Sequence, residues 1–153
     1  MNYIKYKVHV YDSGNKYWYL NGKRHREDGP AIEYDDGGKS WYLNDKCHRE
    51  GGPAIEHANG TKHWYLNGEC HREDGPAIER ANGYKAWWLN GKYHREDGPA
   101  VEYASGHKTW YLNNKRYTEE EFNTKMNAKN NRQDCTDRVV EIDGVKYTLK
   151  KKD

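Results

Sequence analysis

The sequence has little of what marks most enzymes and membrane proteins. Its 153 residues include one Phe, two Met, three Cys and three Ser, and 34% of them are hydrophobic. No apolar run approaches the length of a transmembrane span. No serine stands in G-x-S-x-G, and neither a P-loop nor a G-x-G-x-x-G motif occurs. We therefore expect a protein that is not an enzyme and that holds no cofactor.

Charge of one sign is also lacking. The 26 basic and 24 acidic residues leave a net charge of +2, so no strong field favours nucleic acid or an acidic membrane. Residues 1–14 contain no apolar run of signal-peptide length, and nothing predicts insertion into a membrane. The odd number of cysteines favours free thiols at Cys47, Cys70 and Cys135. These features predict a soluble, cytoplasmic protein.

Tyrosine and tryptophan, by contrast, are abundant. A mean hydropathy of −1.38 is typical of disordered chains. Fourteen Tyr and six Trp argue against disorder here. Each of these side chains has an apolar body and a polar tip, which suits a sheet that is partly exposed to solvent.

The sequence repeats with a period of 23 residues, and the register never slips. Gly, Lys, Trp and Asn each recur in five copies, for example at Trp18, Trp41, Trp64, Trp87 and Trp110. Proline follows the same spacing at Pro30, Pro53, Pro76 and Pro99. Such a period indicates a stacked array in which neighbouring copies bury a shared face.

Each copy reads as a β-hairpin. The stretch K-x-W-Y-L suits a strand, and the Asn-Gly that follows predicts a tight turn. Gly-Pro marks a loop, where we expect the glycine to supply unusual backbone angles, and Ala-Ile-Glu begins a second strand. We expect the Trp, Leu and Ile side chains to share the core face. The fold class is therefore mostly β, a meander of about five hairpin units, although two or three strands per unit both remain possible.

The pattern N-G-K-x-H with aromatic strands resembles MORN-type repeats. The sequence pattern WYLNGK-x-HREDGPA-[IV]-E is similar to the repeats of a MORN-like subgroup found in large bacteriophages and giant viruses. The resemblance covers residues 8–117 and implies an elongated, twisted sheet of β-hairpins. One departure is that Arg-Glu-Asp replaces the usual Gly soon after the His, which implies a longer connecting loop. Phospholipid binding by some MORN proteins is a further implication of the resemblance.

The C-terminal part differs, and we expect two domains, a repeat array over 1–117 and a cap over 118–153. T-x-x-E at Thr118 is a capping box that predicts a helix over 119–130, with Phe122 and Met126 on the face that covers the last hairpin. Residues 127–137 read as a loop, and residues 138–149 as a hairpin around Asp-Gly. Lys150–Lys152 reads as a solvated end, and a homo-oligomer formed through this segment remains possible.

The repeated His-Arg-Glu-Asp contains residue types that commonly bind metal ions or act in catalysis. Two strands per unit would place equivalent residues about 10 Å apart, which is too far for a shared metal and for a Cys47–Cys70 disulfide. Gly51 also removes the Asp from the second copy. We therefore favour a structural corner, with Asp capping the turn, Arg pairing with Glu and His bonding the loop backbone. The structural residues would be His25, Asp28, His48, His71, Asp74, His94 and Asp97, with no metal.

One face carries a candidate binding surface. It combines an aromatic ladder with the residue before each Trp, which changes in every copy. Variation on a Tyr-rich face is typical of the binding surface of a repeat scaffold. The predicted partner-binding residues are Tyr17, Tyr19, Tyr42, His63, Tyr65, Trp88 and Tyr111. Cross-strand packing explains the same tyrosines equally well.

The partner remains open at this stage. Protein binding is the main expectation, and the resemblance implies a viral protein that binds and inhibits a host protein, such as a defence enzyme. Nucleic acid is the alternative, because bases could stack on the aromatics while the repeated lysines hold phosphates. A glutamate recurs once per unit as well, which makes nucleic acid the weaker alternative.

Overall fold

A computed structural model of the chain describes residues 5–133 and 138–149. The chain divides into two compact units, residues 1–116 and residues 117–153. The described part of the first unit consists of β-strands and turns, and that of the second contains a helix and a β-hairpin. The predicted fold class is confirmed: mostly β, built of repeated hairpins, with a C-terminal helix and a terminal hairpin.

Each of the first four repeats contributes an outgoing strand and a return strand to one antiparallel sheet of 12 strands, and the fifth contributes an outgoing strand. A return strand pairs with the outgoing strand of its own unit and with that of the next. Ile55, for example, lies opposite Ser40 on one side and opposite His63 on the other. The sheet is therefore the predicted meander.

The strand bounds repeat with the sequence. The outgoing strands are Lys16–Leu20, Lys39–Ser40, Lys62–His63, Lys85–Ala86 and Lys108–Leu112. The return strands are Ile32–Glu33, Ile55–Glu56, Ile78–Glu79 and Val101–Glu102. The strands Lys7–Val10 and Lys115–Tyr117 stand at the two ends of the sheet.

A second, smaller hairpin follows each repeated Trp. The sequence predicts its turn but not the strand after the turn. In the first unit the strand Lys23–Arg24 folds back on Lys16–Leu20. In the next three units the hairpins are separate from the main sheet, and they pair Tyr42–Leu43 with Lys46–Cys47, Tyr65–Leu66 with Glu69–Cys70, and Trp88–Leu89 with Lys92–Tyr93.

Two kinds of turn close the strands. In the small hairpin of the second unit, Asn44 and Asp45 have φ values of 53° and 64°, as the two-residue type I′ turn requires. The turn after the second return strand is one residue longer. There the N–H of His57 donates to the Thr61 carbonyl at 2.9 Å, and Gly60 has a φ of 86°. Both kinds of turn lie where the sequence predicts tight turns.

Each Trp backbone connects the main sheet to the small hairpin. The N–H of Trp41 donates to the Ala54 carbonyl at 2.8 Å, and the Trp41 carbonyl accepts the N–H of His48 at 3.1 Å. Successive small hairpins are also bonded to one another, since the N–H of Asp45 donates to the Arg24 carbonyl at 2.9 Å. Neighbouring units are thus joined along two parallel lines of backbone hydrogen bonds.

The core is thin, and the expected grouping of Trp, Leu and Ile on one face is wrong. Ile32 lies opposite Tyr17 and Ser40, so it shares their face and not that of Trp18. The reason is that alternation fixes the faces within one strand, whereas the loop length fixes the register of the next. The buried apolar residues are Ala31, Ile32, Ala54, Cys70, Ala77, Ala86, Ala100, Val101, Leu112 and Phe122.

The helix of the second unit runs over Glu119–Gln133, three residues past the predicted end. The predicted loop is therefore wrong for residues 127–133, where no Gly or Pro interrupts the helix. The capping box is confirmed: the N–H of Thr118 donates to Glu121 Oε2 at 2.9 Å, and the N–H of Glu121 donates to Thr118 Oγ1 at 3.2 Å. Phe122 is buried, with 3% of its surface exposed.

The predicted C-terminal hairpin is also confirmed. Its strands are Arg138–Ile142 and Val145–Leu149, joined at Asp143-Gly144. Cys135 and Lys150–Lys152 lie outside the described residues. No helix in residues 5–133 and 138–149 has the length and apolar composition that a membrane span requires.

Candidate functional site

The arginine of each His-Arg-Glu loop is the centre of that loop. The Arg72 guanidinium lies over the Trp64 ring at 4.1 Å, a distance typical of cation–π contacts. Its Nη1 donates to Glu79 Oε1 at 2.9 Å and to the Pro76 carbonyl at 3.2 Å. The same stacking recurs at 4.3, 3.7 and 3.9 Å for Arg26 on Trp18, Arg49 on Trp41 and Arg95 on Trp87. The arginine therefore pairs with the glutamate of its own return strand.

The loop aspartates also contact this arginine. Asp28, Asp74 and Asp97 accept the Nε–H of the arginine two residues before them at 3.0, 2.8 and 2.8 Å. The bond from Arg72 holds the pKa of Asp74 below its usual range, and the bond from Arg95 does the same for Asp97. In the second unit Gly51 occupies this position with a φ of 71°. The structure thus places these carboxylates against the arginine, whereas the sequence predicted that they cap the turn.

The glycine before each Pro is required for space. The expectation that it supplies unusual backbone angles is wrong, because none of these four glycines has a positive φ. A Cβ on Gly75 would instead lie 2.9 Å from Arg72 Cζ, closer than side-chain carbons approach. The corresponding distances are 2.9, 3.2 and 3.2 Å at Gly29, Gly52 and Gly98. The glycine leaves the room that the guanidinium occupies.

The four loop histidines connect neighbouring units. His25 Nδ1 accepts the backbone N–H of Asn44, in the next unit, at 3.2 Å. The same Nδ1 lies 3.1 Å from Asn44 Oδ1, and Nε2 lies 3.4 Å from Glu27 Oε1. The same N–H bond from the next unit's Asn reaches His48, His71 and His94 at 3.1, 3.2 and 3.3 Å. Within the described ranges, no three His, Cys, Asp or Glu side chains gather as a metal site.

A groove lies between each loop and the loop of the next unit. Successive grooves have volumes of about 710, 540 and 680 Å³. The second groove is typical: the Gly-Pro of the preceding loop lines it together with Trp64, Leu66 and His71. The acidic side chains of both loops line it as well. We call this side of the array the loop face.

The predicted binding residues lie on the other face and are neither fully buried nor exposed. Tyr42 lies opposite Cys47 in its small hairpin, Tyr65 lies opposite Cys70, and Trp88 packs on Tyr93 with ring centres 3.8 Å apart. We call five aromatic side chains, one per unit, the aromatic row. Its members are Tyr19, Tyr42, Tyr65, Trp88 and Tyr111, all half-buried.

The variable position beside the aromatic row is largely interior. Ser40, Ala86 and Thr109 are 2%, 0% and 5% exposed, so they do not form an outer surface. Tyr17 and His63 remain half-buried at the equivalent places. Burial, with a smaller effect from His57, lowers the pKa of His63. In these three units the variation therefore reflects packing, and it does not mark an outer contact surface.

The two cysteines of this face are free thiols. Their Sγ atoms lie 3.9 and 4.0 Å from the carbonyls of Ala54 and Ala77, which can accept a weak S–H bond. Burial raises the pKa of each thiol, Cys47 and Cys70, to about 12. Thiols in this state are poor nucleophiles.

An aromatic cluster in the fourth unit was missed from the sequence. The Tyr84 and Tyr103 rings are 5.5 Å apart, and Tyr93 stacks on Tyr111 at 5.1 Å. Burial, followed by a hydrogen bond with Tyr93, raises the pKa of Tyr84. The sequence signal for this cluster is that Tyr93 replaces the Cys of the two preceding units.

The repeated lysines are set between glutamates. Lys39 lies opposite Glu33 on one neighbouring strand and opposite Glu56 on the other. Lys62 and Lys85 are flanked by glutamates in the same way. Opposite charges at cross-strand positions attract, so these glutamates, which also pair with the loop arginines, offset part of the positive charge of the lysines.

No model of a known protein family matches the chain, and no curated protein is similar to it. The geometry itself offers two surfaces of different chemistry. The loop face presents exposed carboxylates around arginines that are already held in place. The aromatic row presents large, half-buried rings, with Cys47 and Cys70 beside its centre and Arg24 and Tyr93 stacked on rings nearer its ends.

Proposed function

We propose that the chain is a non-enzymatic repeat scaffold that binds a protein through its aromatic row. The observation that carries the proposal is the half-buried state of all five rings. Each ring is held by packing yet keeps a surface that a partner can cover. Tyr and Trp dominate the energetically important positions of protein interfaces, because a large area is buried at small entropic cost.

The neighbours of the aromatic row support a protein partner over nucleic acid. Cys47 and Cys70 beside it are neutral, and Arg24 is held by Asp45 Oδ1 at 2.8 Å. The glutamates that lie across from the lysines offset part of the positive charge that nucleic acid or an acidic phospholipid would bind. An aromatic surface whose nearby Arg24 is already paired with Asp45 instead matches the largely apolar centre of a protein interface.

The resemblance of the repeats to those of large bacteriophages suggests the partner. A viral protein of this kind would act in the host cytoplasm and would bind and inhibit a host protein, such as a defence enzyme. The inhibition would be steric, because it needs only that the scaffold occupies the surface of its target. This part of the proposal rests on the resemblance alone.

The test compares capture by two double variants. The tagged chain is incubated with nuclease-treated host-cell lysate, and bound proteins are identified by mass spectrometry. Tyr42→Ser with Tyr65→Ser removes two central rings of the aromatic row. Tyr103→Ser with Tyr147→Ser is the matched control, because these tyrosines lie outside the row and are 45% and 50% exposed.

We expect one host protein in near-stoichiometric amount with the wild type and the control, and its loss with the row variant. Circular dichroism establishes that each variant is folded. The partner is then purified, and its activity is measured with and without the chain. Retention by the row variant, or recovery of nucleic acid alone, would refute binding through the aromatic row.

A further inference from the structure

The loop face has a chemistry of its own, which the proposed function does not use. We propose that its row of grooves binds an extended cationic segment of a partner, with Lys or Arg at every third residue. The site lies on the face opposite the aromatic row, so the two proposals stand or fall independently. Charge, groove lining and spacing each contribute to the argument.

The exposed charge of the grooves is negative, although arginines line them. Arg72 keeps only 21% of its side chain exposed, because Trp64 and Glu79 hold it in place. The loop carboxylates stand outward, with 86% of Glu50 and 84% of Glu73 exposed. A ligand entering the groove therefore meets the carboxylates first.

The charge count in each groove has the same sign. The third groove is lined by two arginines and four carboxylates, which leaves a net charge of −2 with neutral histidines. The first and second grooves each have two arginines against three carboxylates, which leaves −1.

The floor of each groove is apolar, which suits the stem of a long basic side chain. Trp64 and Leu66 are half-buried in the second groove, and Pro53 lines the opposite wall. A lysine or arginine can lay its methylene stem on such a surface while its charged head reaches the rim. The carboxylates at the rim would repel an acidic side chain, and a purely apolar side chain would leave them unpaired.

The spacing selects an extended chain. Each unit adds two sheet strands, so the grooves recur about every 10 Å. Three residues of an extended or polyproline II chain span about 9–10 Å. Basic residues at every third position would therefore enter successive grooves, and the linked contacts would strengthen one another.

The test uses two fluorescein-labelled synthetic peptides of identical composition. One peptide carries lysine at every third position, and the other carries the same lysines side by side. Fluorescence anisotropy measures the binding of each peptide to the full chain over a range of salt concentrations. We expect the spaced peptide to bind several-fold more tightly than the clustered one and to lose affinity as salt is added.

A double variant locates the site. Glu50→Gln with Glu73→Gln removes the two outward carboxylates that border all three grooves, and neither of them pairs with the loop arginines. Loss of two exposed charge contacts should weaken binding of the spaced peptide about fivefold. Asp12→Asn with Asp35→Asn is the matched control, since both residues are exposed and line none of these grooves.

The outcomes separate the two proposals. Weaker binding by the groove variant, with full binding by the control and by the Tyr42→Ser, Tyr65→Ser variant, would support the groove site. Equal affinity for the two peptides would overturn it, as would an equal loss in the control. Loss of peptide binding in the aromatic-row variant would also overturn it, because the peptide would then bind the other face.

Discussion

The contact between Arg72 and Gly75 allows a sharp test of why each loop contains Gly-Pro. A Cβ on Gly75 would lie 2.9 Å from Arg72 Cζ, so the guanidinium must shift from its present position over Trp64. Overpacking of this kind costs about 1–3 kcal/mol. The displaced arginine would also lose alignment with Glu79 and with the Pro76 carbonyl. Gly75→Ala should therefore lower the free energy of unfolding by about 2 kcal/mol.

The same substitution should have the opposite effect once the arginine is absent. Gly75 does not have a positive φ, so alanine fits its backbone conformation. Replacing glycine by alanine at such a position stabilises a protein by about 0.4–1 kcal/mol, through the entropy of the unfolded chain. In an Arg72→Ala background, Gly75→Ala should thus be neutral or stabilising. The coupling energy between the two sites should be about 2–3 kcal/mol.

The assay is urea unfolding of the four members of this double-mutant cycle, followed by circular dichroism and tryptophan fluorescence. Gly52→Ala is a milder control, because its Cβ would lie 3.2 Å from Arg49 Cζ. We expect a smaller loss of stability there than at Gly75. An equal cost of Gly75→Ala with and without Arg72 would refute the reasoning, since the glycine would then serve the backbone and not the arginine.

Three further predictions concern other features of the array. Burial raises the pKa of Cys47 and Cys70 to about 12. In a Cys135→Ser background, both thiols should therefore react with a disulfide reagent at pH 8 about a thousandfold more slowly in the folded than in the unfolded protein. Equal reaction rates in the two states would contradict the raised pKa. Burial lowers the pKa of His63, so its contribution to stability should be full above the unfolded pKa of about 6.5 and should decline as the pH falls below that value. Between neutral and mildly acidic pH, the midpoint of thermal unfolding should therefore fall less for His63→Gln than for the wild type. An equal fall in the two proteins would refute this prediction. Asn67 has a φ of 54°, so Asn67→Ala should be less stable than Asn67→Gly by about 1 kcal/mol in the same urea assay, with no difference expected if the turn can relax.

Much of the fold follows from local sequence signals. The recurrence of Trp, Asn and Pro every 23 residues predicts the meander, and the Asn-Gly pairs predict its turns. The Thr118–Glu121 capping box predicts where the helix begins, because both hydrogen bonds form within one turn. The end of the helix was harder to predict, since no glycine or proline marks it.

The faces of the sheet could not be predicted, because register depends on distant parts of the chain. The alternation of Trp18 with Tyr17 and Tyr19 is local, but the face of Ile32 depends on how the intervening loop closes. That loop is shaped by the arginine on the tryptophan, which is a tertiary contact. The burial of Ser40 follows from the same register, so its difference from the other copies suggested a surface that does not exist there.

The variable position has a consequence for how the array folds. Because every unit has the same length, a strand could pair with the wrong copy, one full unit out of frame, and still align its Lys with a Glu. Misassembly of this kind is the characteristic failure of repeat proteins. Ile78 meets His63 on one side and Ala86 on the other, whereas Ile32 meets Tyr17 and Ser40. A frame-shifted pairing would bring together side chains whose combined size does not fit the space between the strands. The buried differences between copies therefore favour pairing of each strand with its correct neighbour.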